Sequence, residues 1–213
     1  MRIMNLTELT EKYIANNPSI KDCLKFGIIN YSALSRKIMT ESQINKRIKL
    51  DAILIAARRY RQKLKDYEIR NNKIMKILRN SKLDIQNKII VAIIEKNIYF
   101  DNLIDLEKKI KKDSEVFHII EGTDTITLVT REEYLEDIKN LFGSKVIKIN
   151  TNLAKIVIKS SREIEKTSGV IYYLISLFSE NNINIVETMS CWTDTILVID
   201  EADVGKIMPI LRF

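Results

Sequence analysis

The chain is short of the residues on which most enzyme chemistry depends. Its 213 residues include one histidine, His118, and two cysteines, Cys23 and Cys191. That supply excludes a zinc cluster, a disulfide framework and any triad needing a second histidine. Neither GxGxxG nor GxxxxGKS occurs among its five glycines, so a phosphate-cradling loop is excluded too. No stretch reaches the ~18 apolar residues of a membrane span. The N-terminal MRIMNLTELTEKY has no apolar signal region, so a cytoplasmic protein without a membrane partner is expected. No grouping of nucleophile, base and orienting residue emerges. The expectation is therefore no catalytic residues, no metal and no cofactor.

What is present is a sizeable apolar fraction, 46 %, enough to bury a core. Charge is placed unevenly. Residues 1–80 hold 18 Lys and Arg against 7 Asp and Glu, whereas the remainder holds 17 against 21. A basic first third on an acidic remainder suggests two modules with different partners, the basic one suited to a phosphate backbone. A solvated basic face that keeps the protein soluble is the plainer alternative.

The basic part reads as helices. Leu6, Leu9, Tyr13 and Ile14 recur at helical spacing, and Pro18 is expected to end that helix. Ser19 is the expected cap for a helix over Ile20 to Phe26, with Gly27 as its left-handed stop. Asn30 or Ser32 caps the next, which carries Leu34 and Ile38. After a polar break at Thr40 to Ser42, a long helix is expected from about Gln43 to Lys65. Ile44, Ile48, Ile53, Leu54, Ala57, Tyr60 and Leu64 form its apolar stripe. Helix, short turn, helix is compatible with a helix-turn-helix. The candidate nucleic-acid contacts are Ser35, Arg36, Lys37, Arg58, Arg59 and Arg61. The same arginine run suits a solvated surface or an acidic protein partner.

The rest of the chain repeats itself. Leu83 to Glu95, LDIQNKIIVAIIE, overlays Ile147 to Lys159, IKINTNLAKIVIK, at a shift of 64. Thr123-Asp124-Thr125-Ile126 matches Thr193-Asp194-Thr195-Ile196 at a shift of 70. Two matches in one order argue for tandem copies of one unit. Each copy reads as strand, helix, strand, strand, helix. The first has Ile89–Glu95, Asp101–Lys112, Val116–Glu121, Thr125–Val129 and Arg131–Leu141. The second has Leu153–Lys159, Gly169–Asn181, Ile185–Met189, Thr195–Ile199 and Glu201–Leu211. This order belongs to the ferredoxin-like layering of helices on an antiparallel sheet. The expected fold is α+β: a helical module over 1–78, then units over 79–143 and 144–213. Short strands at Leu83–Ile85 and Ile147–Ile149 precede each unit. Either each completes its own unit, or Ile147–Ile149 completes the first and the second borrows an edge.

The strings GIINYSALSRKI and DAILIAARRYRQKL resemble the N-terminal region of archaeal regulators of amino-acid metabolism, which join such helices to ACT domains. The stretch TSGVIYYLISLFSENNINIVETMSCWTDTILVIDEADVGKIM resembles the ACT domains at the C-terminus of aspartate kinases. The features that carry the likeness are Ser168-Gly169-Val170, Asn182 to Ile185, Met189-Ser190 and Val198 to Glu201. It implies an amino-acid effector bound between two copies, held by backbone groups of the first strand–helix loop and the start of the second strand. The implied ligand residues are Ser168, Gly169, Val170, Asn184 and Ile185. The physics agrees, since glycine at a helix start lets a ligand reach open N–H groups. The first unit has no glycine in the corresponding loop, Lys96 to Asp101, so the second holds the better site. A homodimer joined through these units is expected. The functional expectation is an amino-acid sensor that modulates a DNA-binding module. The alternative is a regulatory subunit that docks on a biosynthetic enzyme. Trp192 and Glu187 read as surface residues, Tyr172 and Tyr173 as core or interface, His118 as a core or edge histidine and Cys191 as inert.

Overall fold

The computed structural model describes residues 5–43, 50–64, 66–98, 100–112 and 116–213. It divides into two compact units, Met1–Asn72 and Lys73–Phe213.

The first unit is helical. Helix α1, Leu6–Ala15, opens on a capping box: Asn5 accepts from the Glu8 amide at 2.8 Å while the Glu8 carboxylate accepts from the Asn5 amide. Helix α2, Pro18–Phe26, begins at Pro18 rather than after it. A proline lacks the N–H that a first helical residue leaves unbonded anyway, so Ser19 lies inside the helix and caps nothing. Gly27, at φ +72°, closes it in the left-handed region as expected. Asn30, not Ser32, caps α3, Tyr31–Glu41, by accepting from the Ala33 amide. Helix α4 is described over Leu50–Lys63, and most of its expected first turns, 44–49, lie outside the described residues. Helix α5, Asp66–Arg79, carries the boundary between the units. Ile14, Leu24, Leu34, Ile38, Ile53 and Ala57 form the core that joins α1 to α4.

In the second unit each short edge strand is fused to the strand that follows it. Strand β1 runs unbroken over Lys82–Glu95 and β4 over Val146–Lys159. Between them lie α6, Phe100–Lys112, β2, Phe117–Glu121, β3, Thr125–Arg131, and α7, Leu135–Phe142. After β4 come α8, Val170–Glu180, β5, Ile185–Cys191, β6, Asp194–Asp200, and α9, Val204–Ile207. The strand order is β2-β3-β1-β4-β6-β5, antiparallel throughout.

The two long strands pair along their whole length. Lys82 to Gln86 oppose Lys159 to Lys155, and Val91 to Ile94 oppose Asn150 to Val146. The first half of β4 thus completes the first ferredoxin-like unit, and the first half of β1 completes the second. The second unit borrows its edge from a segment that precedes the first, so the expected boundary at 143/144 does not part the two sheets. The pairing breaks register three times, once between Ile93 and Ile94 and twice near the middle of the strands, where Lys88 and Asn152 take φ of +57° and +56°. These positions are equivalent under the 64-residue repeat. Left-handed residues of this kind create bulges that bend a strand.

The helices lie on one face. Ile90, Ala92, Ile94 and Leu128 pack with Leu106, Ile110 and Ile138, while Ile156, Ile158, Leu197 and Ile199 pack with Val170, Leu174 and Phe178. Ile74, Ile77 and Leu78 of α5 join the latter cluster. The opposite face has its own buried cluster of Ile89, Val91, Val116, Val129, Leu153 and Val198. Ile89 and Leu153 are paired at its centre. Replacing Leu153 by Ala should cost about 2–5 kcal/mol. Urea unfolding should show that loss in a single transition, since both halves share the strand.

Candidate functional site

The basic surface is built around the turn from α2 to α3. The Arg58 guanidinium lies 5.3 Å from the Tyr31 ring centroid. A Cβ on Gly27 would come within 2.5 Å of an Arg61 guanidinium nitrogen, so Arg61 covers this glycine. Two arginines of α4 therefore clasp the corner between α2 and α3, with their side chains still exposed. Arg36 and Arg59 are exposed as well. Lys37 is exposed and pairs with Glu41 at 2.7 Å. The Glu41 carboxylate accepts from Lys37 and from the Tyr13 hydroxyl, which together hold it below the ordinary carboxylate range. Burial and that same hydrogen bond push Tyr13 up to about 12. Ser35 corrects the expectation. It is wholly buried and donates its hydroxyl to the Tyr31 carbonyl, so it braces α3 and cannot touch DNA. Phe26 and Ile28, 58 % and 73 % exposed, flank Gly27 beside the arginines. Nothing in the local pattern marks them as surface residues.

The glycine loop of the second unit behaves as a helix start. Gly169 stands at φ +99° just before α8, with no side-chain cap, and Ser168 is exposed while Val170 is buried. A Cβ on Gly169 would meet the Ile74 Cδ1 at 3.4 Å, so α5 lies beside the loop. The loop is tied at its base, where the Ser160 amide donates to the Thr193 carbonyl and the Ser160 and Ser81 hydroxyls lie 2.9 Å apart. Arg162 stacks over Trp192 at 4.9 Å, which makes this indole a turn-packing residue.

Asn184 and Ile185 are elsewhere. Ile185 opposes Ile199 on β6, whereas the loop follows Lys159, which opposes Asp194 at the other end of β6. The 11 residues of α8 separate the two ends by roughly 16 Å. Within one chain the expected ligand residues therefore split into two groups. Asn184 instead borders a cavity of about 460 Å³ with Asn150, Thr151, Asp200 and Asp203. Asp200 accepts from the Ala202 amide and Asp203 pairs with Lys206.

A second cleft, of about 420 Å³, lies between β2 and β5. His118 lines it from β2, and its Nε2 is buried with no hydrogen-bond partner among the described residues. Burial, and after it the charge of Lys155, holds the imidazole below its ordinary 6.5. Lys155 itself is 6 % exposed. It stands where the first copy of the repeat has Val91, and that lysine at a core position was a legible signal that charge had entered the sheet.

Among solved structures, an aspartate kinase from Clostridium acetobutylicum, described as an allosteric enzyme, is similar at 17 % identity with a TM-score of 0.51. The match covers 61 % of this chain and 33 % of that one, so the chain spans about a third of the kinase. The regulatory subunit of aspartate kinase from Thermus thermophilus, in its ligand-free form, matches at 9 % identity and a TM-score of 0.48, over 62 % of this chain and 94 % of that one. No family model matches the chain, and neither does any curated protein. The first likeness shows the fold alone, an arrangement of ferredoxin-like units on an antiparallel sheet.

His118 supplies a test of the site's electrostatics. Its folded-state pKa lies below the unfolded value, so the unfolded chain binds the proton more readily. The stability owed to the neutral imidazole is present above 6.5 and is lost as the pH falls through the window beneath it. Denaturation at about pH 7.5 and 5.5 should show the loss, and His118→Gln should reduce it.

Proposed function

We propose that the protein is an amino-acid-responsive regulator, not itself an enzyme, in which the sheet unit senses an effector and the basic helical unit meets duplex DNA. The observation that supports it is the union in one chain of a separate basic four-helix core with a sheet unit whose fold is that of part of an allosteric aspartate kinase. In this reading the effector's carboxylate meets the open N–H groups after Ser168 and Gly169, ahead of Val170. Asn184 and Ile185 of a second copy complete the site, because those of the same chain lie beyond α8. The functional protein is accordingly a homodimer, and no cofactor takes part. Arg36, Lys37, Arg58, Arg59 and Arg61 supply the phosphate contacts.

A second reading rests on Phe26 and Ile28. Exposed apolar side chains beside paired arginines suit a protein surface, as on a regulatory subunit that docks on a biosynthetic enzyme.

A thermal-shift screen of the twenty amino acids identifies the effector, since a ligand at 100-fold its dissociation constant stabilises by roughly 2.7 kcal/mol. DNA affinity is then measured at two salt concentrations with and without it. The regulator reading expects an effector-dependent change of about 5–150-fold. Replacing Arg36 and Arg59 together by Ala should weaken DNA binding and flatten its salt dependence by about one to two in logarithmic slope. Gly169→Val should abolish the effector response and leave basal DNA affinity intact. Salt-indifferent, effector-independent binding would reject DNA as the partner and favour the docking subunit.

A further inference from the structure

Strands β2 and β5 are the two ends of the hydrogen-bonded order, yet both line one cleft. Val116, just before β2, also packs in one cluster with Val186 and Met189 of β5. The sheet therefore curls until its two outer edges face each other, with the helix-free face turned inward. The register shows which backbone groups point into the gap. In the hairpin of β2 and β3 the Gly122 amide donates to the Thr125 carbonyl at 2.8 Å. Bonded pairs recur at every second residue of an antiparallel ladder, so Ile120 and His118 bond to β3 as well. The N–H and C=O groups of Ile119 and Glu121 then point away from β3, toward the cleft. On β5 the Thr188 amide donates to the Glu187 carboxylate at 3.0 Å, away from β6, and by the same alternation the backbone of Ser190 points outward too. Apart from that bond to Glu187, no hydrogen bond covers either outer edge among the described residues. Exposed sheet edges are ordinarily blunted by lysine, proline or an inward charge. Phe117 to Ile120 and Thr188 to Cys191 contain no lysine, proline or carboxylate. The floor between them is apolar, with Ile89, Val91, Val129, Leu153 and Val198 buried together.

We propose that the gap between β2 and β5 receives an extended segment of a partner protein, which adds a strand to β2 and closes the curled sheet. The segment runs antiparallel to β2, the stronger pairing, and bonds to the outward backbone groups of Ile119 and Glu121. Its other edge faces those of Thr188 and Ser190, and Glu187 releases the Thr188 amide as the strand enters. Every second side chain of the segment points inward to Met189 and Ile196, so apolar residues alternate with polar ones. Each edge gives four residues to the cleft, a span of about 13 Å, so about four residues of the partner are held. A second copy of this chain does not suit the gap. Its own outer edges belong to a curled sheet and face each other across their own cleft, so neither can enter. A length of chain not already built into a sheet can. The surface is separate from the effector site, since neither Gly169, Asn184 nor Ile185 lines it.

The edge amides report the added strand directly. Three capped heptapeptides, in which threonine alternates with valine, leucine or phenylalanine, are titrated into the full-length protein while amide hydrogen exchange is followed by NMR. The expected result is saturable binding of at least one peptide, with exchange at Ile119, Glu121 and Ser190 slowed about tenfold or more at saturation. The same peptides with proline at the threonine positions should not bind, because they cannot form a ladder. Ile119→Pro removes an outward N–H that the sheet itself does not use, a change that an edge strand tolerates. It should weaken binding about tenfold, whereas Ile119→Val should retain it. No binding by any of the three peptides, equal binding of the proline forms, unchanged exchange at these amides, or full affinity in Ile119→Pro would overturn the proposal. Slow exchange at the same amides without peptide, rising with protein concentration, would overturn it in favour of a second copy. None of these outcomes bears on the amino-acid response at the glycine loop, which Gly169→Val tests separately.

Discussion

The antiparallel register that sets Lys82 opposite Lys159 and Ile94 opposite Val146 lets two strands serve as four. Each long strand belongs to one ferredoxin-like unit by its first half and to the other by its second. Without this pairing the first unit would lack its last strand and the second its edge. The mirrored left-handed residues Lys88 and Asn152 stand where each strand passes from one unit to the other within the single sheet. They let the sheet turn its helix-free face inward and bury Ile89 against Leu153.

Much of this architecture was legible in the sequence. The 64-residue overlay places Ile89 on Leu153, the very residues that meet at the centre of the curled face. The helical period of residues 6–14, Gly27 as a left-handed stop and Asn30 as one of two candidate caps located the first unit's short helices. The exchange of edges was not legible, because Leu83–Ile85 and Ile147–Ile149 carry the same alternation whichever neighbour they pair with. Periodicity fixes which face a strand residue occupies but not its partner. Pro18 misled for a related reason, since the same ring ends one helix and begins another.

The candidate site was legible in part. Gly169 does stand just before α8 with positive φ, as a glycine at a helix start suggests. The sequence already placed a helix over Gly169–Asn181, yet the implied ligand residues were drawn from both of its ends, which the structure holds apart. Ser35 looked like a surface hydroxyl just ahead of Arg36 and Lys37, but helical spacing puts it with Leu34 and Ile38 on the buried side. Lys155 shows the reverse case. Only the repeat, by placing it on Val91, marks it as a charge on a core face.

The shared strands also set the order in which the protein can fold as it is made. Residues 82–86 leave the ribosome with no pairing partner, because theirs, 155–159, follows only about 70 residues later. At about 5–20 residues per second the first half of β1 waits several seconds for it. During that time the nascent chain carries an apolar strand edge, Leu83 and Ile85 included, of the kind that seeks another strand. The first unit faces the same delay for β4, so neither sheet is complete until most of the chain has been synthesised. Closure of the native sheet is therefore a late and long-range event, which places the burden of early folding on the N-terminal helices.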